Sequence, residues 1–365
     1  MIETVETLVR PDIAGMEPYT PIVPYEVLSA QLGIPADRIV KLDANENPYG
    51  PSPSVRAAID SANLHIYPDP ESRRLRDALA AFTGVPTAYI MAGAGADELI
   101  DLTLRALVAP GDVVINCPPT FGMYSFDGAL NGACVVAVQR RADFALDVDG
   151  IEAAARAHSA KLLVLCAPNN PDGSLLPAGA LDRLLRLPLV VMLDEAYVEF
   201  SGAASHIARV PETPNLVVLR TFSKWAGLAG LRVGYGAFPL WLMAHLWKIK
   251  QPYNVNVAAT AAALASLDDA ATLMGNVARL VAERERLFRA LGAFDFLHPY
   301  PSRANFVLCR VEGRDARALK EALAARGVLV RYFDKPGLRN YIRVSAGKPE
   351  HTDALVQALE EIDHA

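Results

Sequence analysis

The sequence predicts an α/β protein with a large domain, built on a mostly parallel sheet covered by helices, and a smaller α+β domain. Between about residues 72 and 237, short apolar runs rich in β-branched residues alternate with helical patterns. Such continuous apolar runs are typical of strands in a parallel sheet that is covered by helices on both faces. After about residue 255, a long helical pattern is followed by three more strands and further helices. This change of texture predicts the second, smaller unit.

The individual elements follow from the spacing of apolar residues. Helical spacing predicts helices at 25–32, 73–82, 97–108, 151–158 and 178–187, and a long helix across 274–291. Apolar runs predict strands at 89–91, 113–115, 134–138, 162–165, 189–193, 216–219 and 233–237 in the large unit. In the small unit, strands are expected at 306–309, 328–331 and 341–344. We expect a proline-rich arm over 1–45 that joins the small domain, a large domain over 46–255 and the small domain over 256–365.

Composition excludes several classes of protein. The 365 residues are 52% hydrophobic and 21% charged, which supports a sizeable core and argues against disorder. The net charge of −6 and the lack of a Lys/Arg-rich run argue against a nucleic-acid partner. No uncharged stretch is long enough to span a membrane, and the first residues lack the layout of a signal peptide. A cytoplasmic protein is the expectation.

The four cysteines show no metal or disulfide pattern. Cys117, Cys134, Cys166 and Cys309 are widely separated, and the sequence has neither a CxxC pair nor a Cys/His cluster with zinc spacing. We expect buried or half-buried free thiols in a reducing compartment and no metal site.

Residues 221–236, Thr-Phe-Ser-Lys-Trp-Ala-Gly-Leu-Ala-Gly-Leu-Arg-Val-Gly-Tyr-Gly, carry the most chemical information. The amine of Lys224 can condense with an aldehyde cofactor. Ser223 and Arg232 can hold a phosphate, and the glycines let the backbone pass close to a ligand. The alternative is a surface lysine and arginine on a flexible glycine-rich loop.

Asp194 and Tyr197 come directly after the strand predicted at 189–193. Ligands of open α/β sheets bind at such strand ends. Asp194 can pair with a protonated pyridine nitrogen, and Tyr197 can hydrogen-bond to a phenolic oxygen on the same ring. Taken alone, an acidic pair after a strand is more often a helix cap or a metal ligand.

Two further segments also follow predicted strands. In Ala-Pro-Asn-Asn-Pro-Asp-Gly (167–173), Asn170 can donate to the same phenolic oxygen, although the cluster could be only a turn. In Met-Ala-Gly-Ala-Gly-Ala-Asp-Glu (91–98), small residues open a helix whose free N–H groups suit an anion. Asp97 could instead simply stabilise the start of that helix.

Together these segments resemble the fold-type I aminotransferases of the aspartate aminotransferase superfamily, and the resemblance extends over essentially the whole chain. Segments 42–51 (Leu-Asp-Ala-Asn-Glu-Asn-Pro-Tyr-Gly-Pro), 67–69 and 119–124 are similar to the histidinol-phosphate aminotransferase family. Segments 329–333 and 341–345 also match that family's pattern.

The resemblance implies pyridoxal 5′-phosphate as cofactor and a role for each matching residue. It makes Lys224 the Schiff-base lysine and proton shuttle, and it places Asp194 at the pyridine nitrogen. Asn170 and Tyr197 are implied to contact the ring oxygen. Phe121 is implied to stack on the ring, where the family often has tyrosine.

The resemblance also implies how the cofactor phosphate is held. Backbone groups of Ala96 and Asp97 are expected to bind it together with Ser223 and Arg232. Tyr67 is expected to reach the phosphate of the neighbouring subunit's cofactor, which implies a homodimer with shared active sites.

The implied reaction transfers an amino group from histidinol phosphate to 2-oxoglutarate, giving imidazole acetol phosphate and glutamate in histidine biosynthesis. Arg343 is implied to bind the acceptor's carboxylate and Arg331 the phosphate of histidinol phosphate, although both could be solvated arginines on strand edges. Tyr19 and Asn47 are weaker substrate-contact candidates, and Tyr19 could only pack in the arm.

Two departures from the family pattern leave substrate details open. Asp172 replaces the usual threonine of Asn-Pro-Thr-Gly, and Trp225 is an unusual neighbour for the lysine. An aromatic amino-acid aminotransferase and a related decarboxylase share the cofactor residues and remain alternatives. A non-catalytic regulator on this scaffold usually carries an appended DNA-binding domain, for which the sequence has neither the room nor the basic composition. A nucleotide-binding α/β protein would need a phosphate-loop lysine or a dinucleotide fingerprint after the first strand, and the sequence shows neither.

Overall fold

The computed structural model describes residues 5–16 and 23–364. The α-helices are α1 (Pro11–Ala14), α2 (Tyr25–Leu32), α3 (Ser54–Asp60), α4 (Arg73–Thr83), α5 (Ala96–Leu107), α6 (Met123–Leu130), α7 (Val148–His158), α8 (Ala180–Leu184), α9 (Leu240–Ile249), α10 (Val257–Asp268), α11 (Ala270–Leu291), α12 (Ala316–Ala324) and α13 (Pro349–Asp363). The strands are β1 (Val40–Leu42), β2 (Ile90–Gly93), β3 (Val113–Asn116), β4 (Cys134–Ala137), β5 (Leu162–Cys166), β6 (Val190–Asp194), β7 (Leu216–Thr221), β8 (Gly234–Ala237), β9 (Leu297–Pro299), β10 (Phe306–Val311), β11 (Val328–Tyr332) and β12 (Tyr341–Ser345). Short 3₁₀ helices lie at Val5–Leu8, Ala36–Arg38, Thr87–Tyr89, Val198–Phe200, Ile207–Glu212 and Ala229–Leu231.

The larger of the two sheets in the described part of the chain has seven strands in the order β2-β8-β7-β6-β5-β3-β4. The five neighbouring strands β7, β6, β5, β3 and β4 run parallel to one another. Only β8 is antiparallel to its neighbours, β7 and β2. Because β8 is the one reversed strand, the carboxyl ends of the other six lie at one edge. The prediction of a mostly parallel sheet is confirmed.

Both faces of this sheet are buried, which explains the continuous apolar runs. Alternate residues of β5 belong to different clusters, Leu163 and Leu165 to one and Leu162 and Val164 to the other. Each cluster is covered by helices, so a strand that alternated polar and apolar residues would place polar groups against helices. Burying one such aliphatic side chain stabilises the fold by about 1.5–3 kcal/mol.

The smaller sheet has five strands among the described residues, in the order β1-β11-β12-β10-β9. β1 comes from the segment predicted as the arm and pairs in parallel with β11, whereas the other pairs are antiparallel. One face packs on α11, α12 and α13 through Val307, Ile342 and Val344. The opposite face of β12 carries Arg343, between Ile342 and Val344. This alternation turns Arg343 away from the core and towards the large sheet.

Several sequence predictions are corrected by the structure. The helix expected at 178–187 is only Ala180–Leu184, and the three-residue strands β1 and β9 were too short to show a period. Cys134 is exposed, contrary to the expectation of a buried or half-buried thiol, because β4 is the edge strand; the other three cysteines are buried free thiols. The domain limits at 45/46 and 255/256 stay predictions, and α10 packs against α3 and α4.

Within the described residues, no single helix is both long enough and apolar enough to cross a bilayer. α10 and α11 meet that condition only as a pair, and the two helices are bent by 82° at their junction. Ala262 of α10 and Leu280 of α11 lie in the buried core.

Candidate active site

The segments singled out from the sequence lie together at the carboxyl edge of the large sheet. β2 leads through residues 94 and 95 into α5, and β5 leads into the 167–173 turn. β6 ends at Asp194, and β7 ends three residues before Lys224. Parallel strands bring their carboxyl ends to one edge, so residues more than 100 positions apart become neighbours. The predicted convergence of these segments therefore follows from the strand order.

Asp194 is a buried carboxylate at the end of β6. It accepts a hydrogen bond of 2.6 Å from the hydroxyl of Tyr124 and one of 2.9 Å from the backbone N–H of Ala196. Burial raises the pKa of the Asp194 carboxyl to about 6, although both hydrogen bonds act in the opposite direction. A carboxylate held in this way is suited to a cationic N–H partner.

Lys224 is a partly buried amine whose surroundings disfavour its charge. Its Nζ donates to the backbone oxygen of Ala44 at 3.3 Å and lies 5.9 Å from the ring centroid of Tyr197. Burial and the nearby charge of Arg343 lower the pKa of the Lys224 amine to about 8. A substantial share of the amine is therefore neutral near physiological pH, as a nucleophile requires.

Tyr197 and Asn170 are held in place by residues from other elements. The Tyr197 hydroxyl accepts a hydrogen bond of 3.1 Å from Asn45 Nδ2, and burial raises the pKa of this phenol. Asn170 Oδ1 accepts a hydrogen bond of 2.6 Å from Nη1 of Arg343, so the amide nitrogen of Asn170 remains available as a donor. Both side chains can thus offer a donor to an oxygen in the cavity.

A second part of the site suits a phosphate. Arg232 Nη2 lies 2.7 Å from the Asp97 carboxylate at the start of α5, and both side chains are about half exposed. A Cβ added at Gly95 would lie 2.7 Å from the same guanidinium, and Gly95 has a φ of +82°. At Gly234 a Cβ would lie 2.6 Å from the backbone nitrogen of Ala96. The two glycines therefore let a helix N-terminus and an arginine meet over the sheet, where backbone N–H groups bind anions.

A cavity of about 720 Å³ lies between the two sheets. Its lining includes six residues predicted for the site, namely Phe121, Asn170, Tyr197, Lys224, Arg331 and Arg343. Arg331 and Arg343 lie directly opposite each other on β11 and β12. Together they place two guanidinium groups in the wall of the cavity, and guanidinium groups suit carboxylate and phosphate ligands.

The remaining predicted residues surround or lie away from this cavity. Ser223 is buried beside β7, where its hydroxyl accepts from Thr221 Oγ1 at 3.0 Å. Asn47 Nδ2 donates to the Trp225 backbone oxygen at 3.1 Å and does not line the cavity, so its substrate contact stays a prediction. Tyr67 is 78% exposed and stacks on Tyr253 at 4.7 Å outside the cavity. Tyr19 lies outside the described residues.

The structure gives the two departures from the family pattern a packing role. Asp172 Oδ2 accepts a hydrogen bond of 3.0 Å from the Ser174 N–H, and Oδ1 accepts one from the Asn169 side chain. This carboxylate therefore closes the turn. Trp225 is fully buried and stacks on Phe82 at 5.7 Å. Neither side chain lines the cavity.

Asn45 and Tyr124 are site residues that the sequence reasoning missed. Both lie in segments that carried the family resemblance, 42–51 and 119–124, but neither had been given a role. Tyr124 lies in the first turn of α6, where its ring contacts that of Phe121 and its hydroxyl donates to Asp194. The place of Tyr124 in the 119–124 motif was the available signal. In 5–16 and 23–364, no group of three or more His, Cys, Asp or Glu side chains could hold a metal ion.

This fold and site define the class of protein. A seven-stranded sheet with one reversed strand, a lysine after one strand and an aspartate ending its neighbour are the framework of fold-type I pyridoxal-phosphate-dependent transferases. Residues 37–359 match the family described as aminotransferase class I and II.

Relatives place the chain more narrowly. It is 56% identical over 371 residues to the histidinol-phosphate aminotransferase of Roseiflexus castenholzii, covering 99% of this chain and 100% of that one. It is 54% identical to the chloroplastic histidinol-phosphate aminotransferase 1 of Arabidopsis thaliana, over 98% and 86% of the two chains. The crystal structure of the Sinorhizobium meliloti histidinol-phosphate aminotransferase in complex with pyridoxal-5′-phosphate is similar, with a TM-score of 0.88, 32% identity and 96% coverage of each chain. The chain belongs to the class I and II aminotransferases and, within them, to the histidinol-phosphate aminotransferase family.

The residues present fit pyridoxal phosphate. Asp194 is a buried carboxylate that could pair with the ring nitrogen, and Phe121 is an aromatic face in the cavity wall that could stack on the ring. Lys224 would supply the amine, and the space beside Arg232 that a Cβ at Gly95 would fill could take the phosphate. The charges of Lys224 and Asp97 both act on Asp194, so the three regions lie within electrostatic reach of one another.

Proposed function

We propose that this protein transfers the amino group of histidinol phosphate to 2-oxoglutarate, giving imidazole acetol phosphate and glutamate, as a step of histidine biosynthesis. The observation that carries the proposal is the pair Arg331 and Arg343, directly opposite each other in the wall of the cavity that contains Lys224. Two anion-binding arginines suit a reaction whose two amino carriers bear a phosphate in one case and carboxylates in the other.

The chain's own residues account for the proton movements. Bound pyridoxal phosphate supplies an aldehyde that bonds amines and a ring that accepts electrons. Lys224, with its pKa lowered to about 8, takes the proton from the substrate carbon that bears the amino group. Asp194 holds a proton on the ring nitrogen, while Tyr197 and Asn170 donate to the ring oxygen. The first product leaves before the 2-oxo acid enters, so the kinetics should be of the ping-pong type.

The two arginines divide substrate recognition. Arg343 donates to Asn170 and to the Asp43 backbone oxygen, which fixes its guanidinium near the amine of Lys224. It is therefore suited to the carboxylate next to the reacting carbon of glutamate or 2-oxoglutarate. Arg331 is suited to the phosphate of histidinol phosphate.

We also propose a homodimer in which Tyr67 reaches the phosphate of the partner's cofactor. The support is its position, since a 78% exposed tyrosine stacked on Tyr253 lies outside its own chain's cavity. An exposed aromatic pair of this kind is suited to a protein interface. A cytoplasmic location is also proposed, on the support of four free thiols, which suit a reducing compartment.

Turnover of a substrate panel tests the proposed function. Histidinol phosphate should be used with a kcat/KM at least about 100-fold above those of phenylalanine and tyrosine, because only the ester offers a phosphate to Arg331. Arg331→Gln should raise the KM for histidinol phosphate and leave the reaction with glutamate nearly unchanged. Preference for the aromatic amino acids, or release of carbon dioxide, would instead favour an aromatic aminotransferase or a decarboxylase.

A further inference from the structure

Three consecutive residues of the 43–45 segment each hold one functional side chain of the cavity. The backbone oxygen of Asp43 accepts from Arg343 at 2.8 Å, and that of Ala44 accepts from Lys224 at 3.3 Å. Asn45 then donates from its side chain to the Tyr197 hydroxyl at 3.1 Å. The third contact differs from the other two because a side-chain amide can be turned to offer either a donor or an acceptor.

The small sheet holds Asn45 firmly. Its backbone oxygen accepts a hydrogen bond of 3.0 Å from Asn305 Nδ2, and its backbone N–H donates one of 2.9 Å to Ser345 Oγ. Asn305 directly precedes Phe306, the residue paired with Ser345 across β10 and β12. Asn45 has a φ of +55°, a left-handed conformation that asparagine tolerates better than most residues. Asn45, Asn305 and Ser345 are all at most 2% exposed.

Ser345 decides which way the Asn45 amide faces. The hydroxyl oxygen already accepts the Asn45 backbone N–H, and its own proton is donated to Asn45 Oδ1 at 2.9 Å. A flipped amide would direct a second donor at Ser345 Oγ and remove the acceptor of a buried hydroxyl proton, which is costly. The amide oxygen therefore faces Ser345, and Nδ2 faces Tyr197.

This orientation determines where the proton of Tyr197 points. A phenol oxygen that accepts an N–H from Asn45 cannot direct its own proton along the same line. The other open side of Tyr197 is the cavity that it lines with Lys224 and Asn170. Burial raises the pKa of the Tyr197 phenol, so the proton stays on its oxygen.

We infer that Ser345 and Asn45 are positioning residues that turn the Tyr197 hydroxyl proton into the active-site cavity, through a chain of hydrogen bonds running from β12. The inference rests on the proposed function and deepens it, since it assigns Tyr197 as a donor to the ring oxygen. These hydrogen bonds connect the small sheet to the large one. The Tyr197 hydroxyl proton is therefore directed into the cavity only when both sheets are in place.

Spectral titration of the holoenzyme tests the chain of hydrogen bonds. Asn45→Asp presents a carboxylate that accepts the Tyr197 proton and draws it out of the cavity. Loss of a donor to the ring oxygen should raise the pH midpoint of the cofactor's visible absorption change by about one unit, as expected for one hydrogen bond to a charged group. Ser345→Ala, which frees the amide to turn without adding charge, should raise the midpoint by a smaller amount.

The same two changes in a Tyr197→Phe background provide the matched control. Without the hydroxyl, Ser345→Ala should leave the midpoint unchanged, and Asn45→Asp should produce only the smaller shift due to its charge. Equal shifts with and without the Tyr197 hydroxyl would overturn the inference, as would unshifted midpoints in the original background. A general structural defect would alter unfolding temperature equally in both backgrounds.

Failure of this inference can be told apart from failure of the proposed function. Borohydride reduction of the holoenzyme followed by peptide mapping should label Lys224. Labelling at Lys224 with equal midpoint shifts in both backgrounds rejects only the role of Asn45 and Ser345. Labelling elsewhere rejects the cofactor assignment itself.

Discussion

The hydroxyl of Tyr124 lies 2.6 Å from the carboxylate of Asp194 at the buried end of β6. Tyr124 is 1% exposed, and burial raises its pKa well above the ordinary value, so it is a donor at every pH of interest. The bond stabilises the ionised form of Asp194 against a surrounding that disfavours charge. Tyr124 thereby helps to keep a carboxylate available for a protonated ring nitrogen.

Tyr124→Phe should weaken cofactor binding, and more so at lower pH. Loss of the donor raises the pKa of Asp194 above about 6, so its ionised fraction falls earlier as the solution is acidified. We expect the Kd for pyridoxal phosphate, measured by equilibrium dialysis, to rise about tenfold at pH 6 and less at pH 8. Tyr235→Phe is the control, because that buried hydroxyl makes no hydrogen bond among the described residues. An equal effect at both pH values would contradict the expectation.

Gly95→Ala should displace the arginine of the phosphate site. The added methyl group would lie 2.7 Å from Arg232 Nη2, which forces the guanidinium to move. We expect the Kd for pyridoxal phosphate to rise at least about tenfold, since a charged hydrogen bond to phosphate is lost.

Gly84→Ala controls for backbone strain in that experiment. Gly84 has a φ of +73°, similar to that of Gly95, but an added Cβ would have nothing within 4 Å. Its substitution should lower the free energy of unfolding by about 1 kcal/mol and leave the Kd unchanged. If both variants bound the cofactor equally well, the close approach of Gly95 to Arg232 would have no role in binding.

Lys224→Met should stabilise the cofactor-free protein in a pH-dependent way. The pKa of Lys224 is lowered from 10.5 to about 8 in the folded chain, so the unfolded chain holds the proton more tightly between these values. The charged, buried amine destabilises the folded state fully below pH 8, and this destabilisation disappears as the pH rises to 10.5. Urea unfolding should show a gain of roughly 1–3 kcal/mol at pH 7 that shrinks towards pH 10. A gain that did not vary with pH would indicate a packing effect instead.

Hybrid dimers should reveal whether active sites are shared. Tyr67→Phe and Lys224→Ala variants are each expected to have low activity, because one lacks the phosphate contact and the other the amine. Mixing and reassociation should restore up to about one quarter of the original activity, because about half of the dimers are then hybrids and each hybrid has one intact site of two. No recovery, or a fully active monomer in sedimentation, would contradict shared sites.

Much of the large sheet was predictable because its strands are buried on both faces. The strands containing 162–165 and 216–219 were placed to within two residues, since helices on both sides demand continuous apolar runs. β1 and β9 were not found because three residues carry no measurable period. The exposure of Cys134 also depended on strand order, which local sequence does not encode.

In the site too, some residues could be predicted from the local sequence, and others depend on contacts between distant segments. The sequence alone predicts Lys224 and Asp194 as site residues, because one follows and the other ends an apolar strand and their chemistry suits one cofactor. Asn45 could not be predicted from sequence, because its contacts involve Ser345, 300 residues away, and Tyr197, which follows a strand of the other sheet.

The sequence by itself determined which residue types stand at the ends of the buried strands, because period and residue type are local properties. Only the tertiary structure decided that Arg331 faces Arg343 across two strands and that the Asn45 amide turns its nitrogen towards Tyr197. Register and hydrogen-bond direction arise from contacts between distant segments. They become defined only when the two sheets pack together.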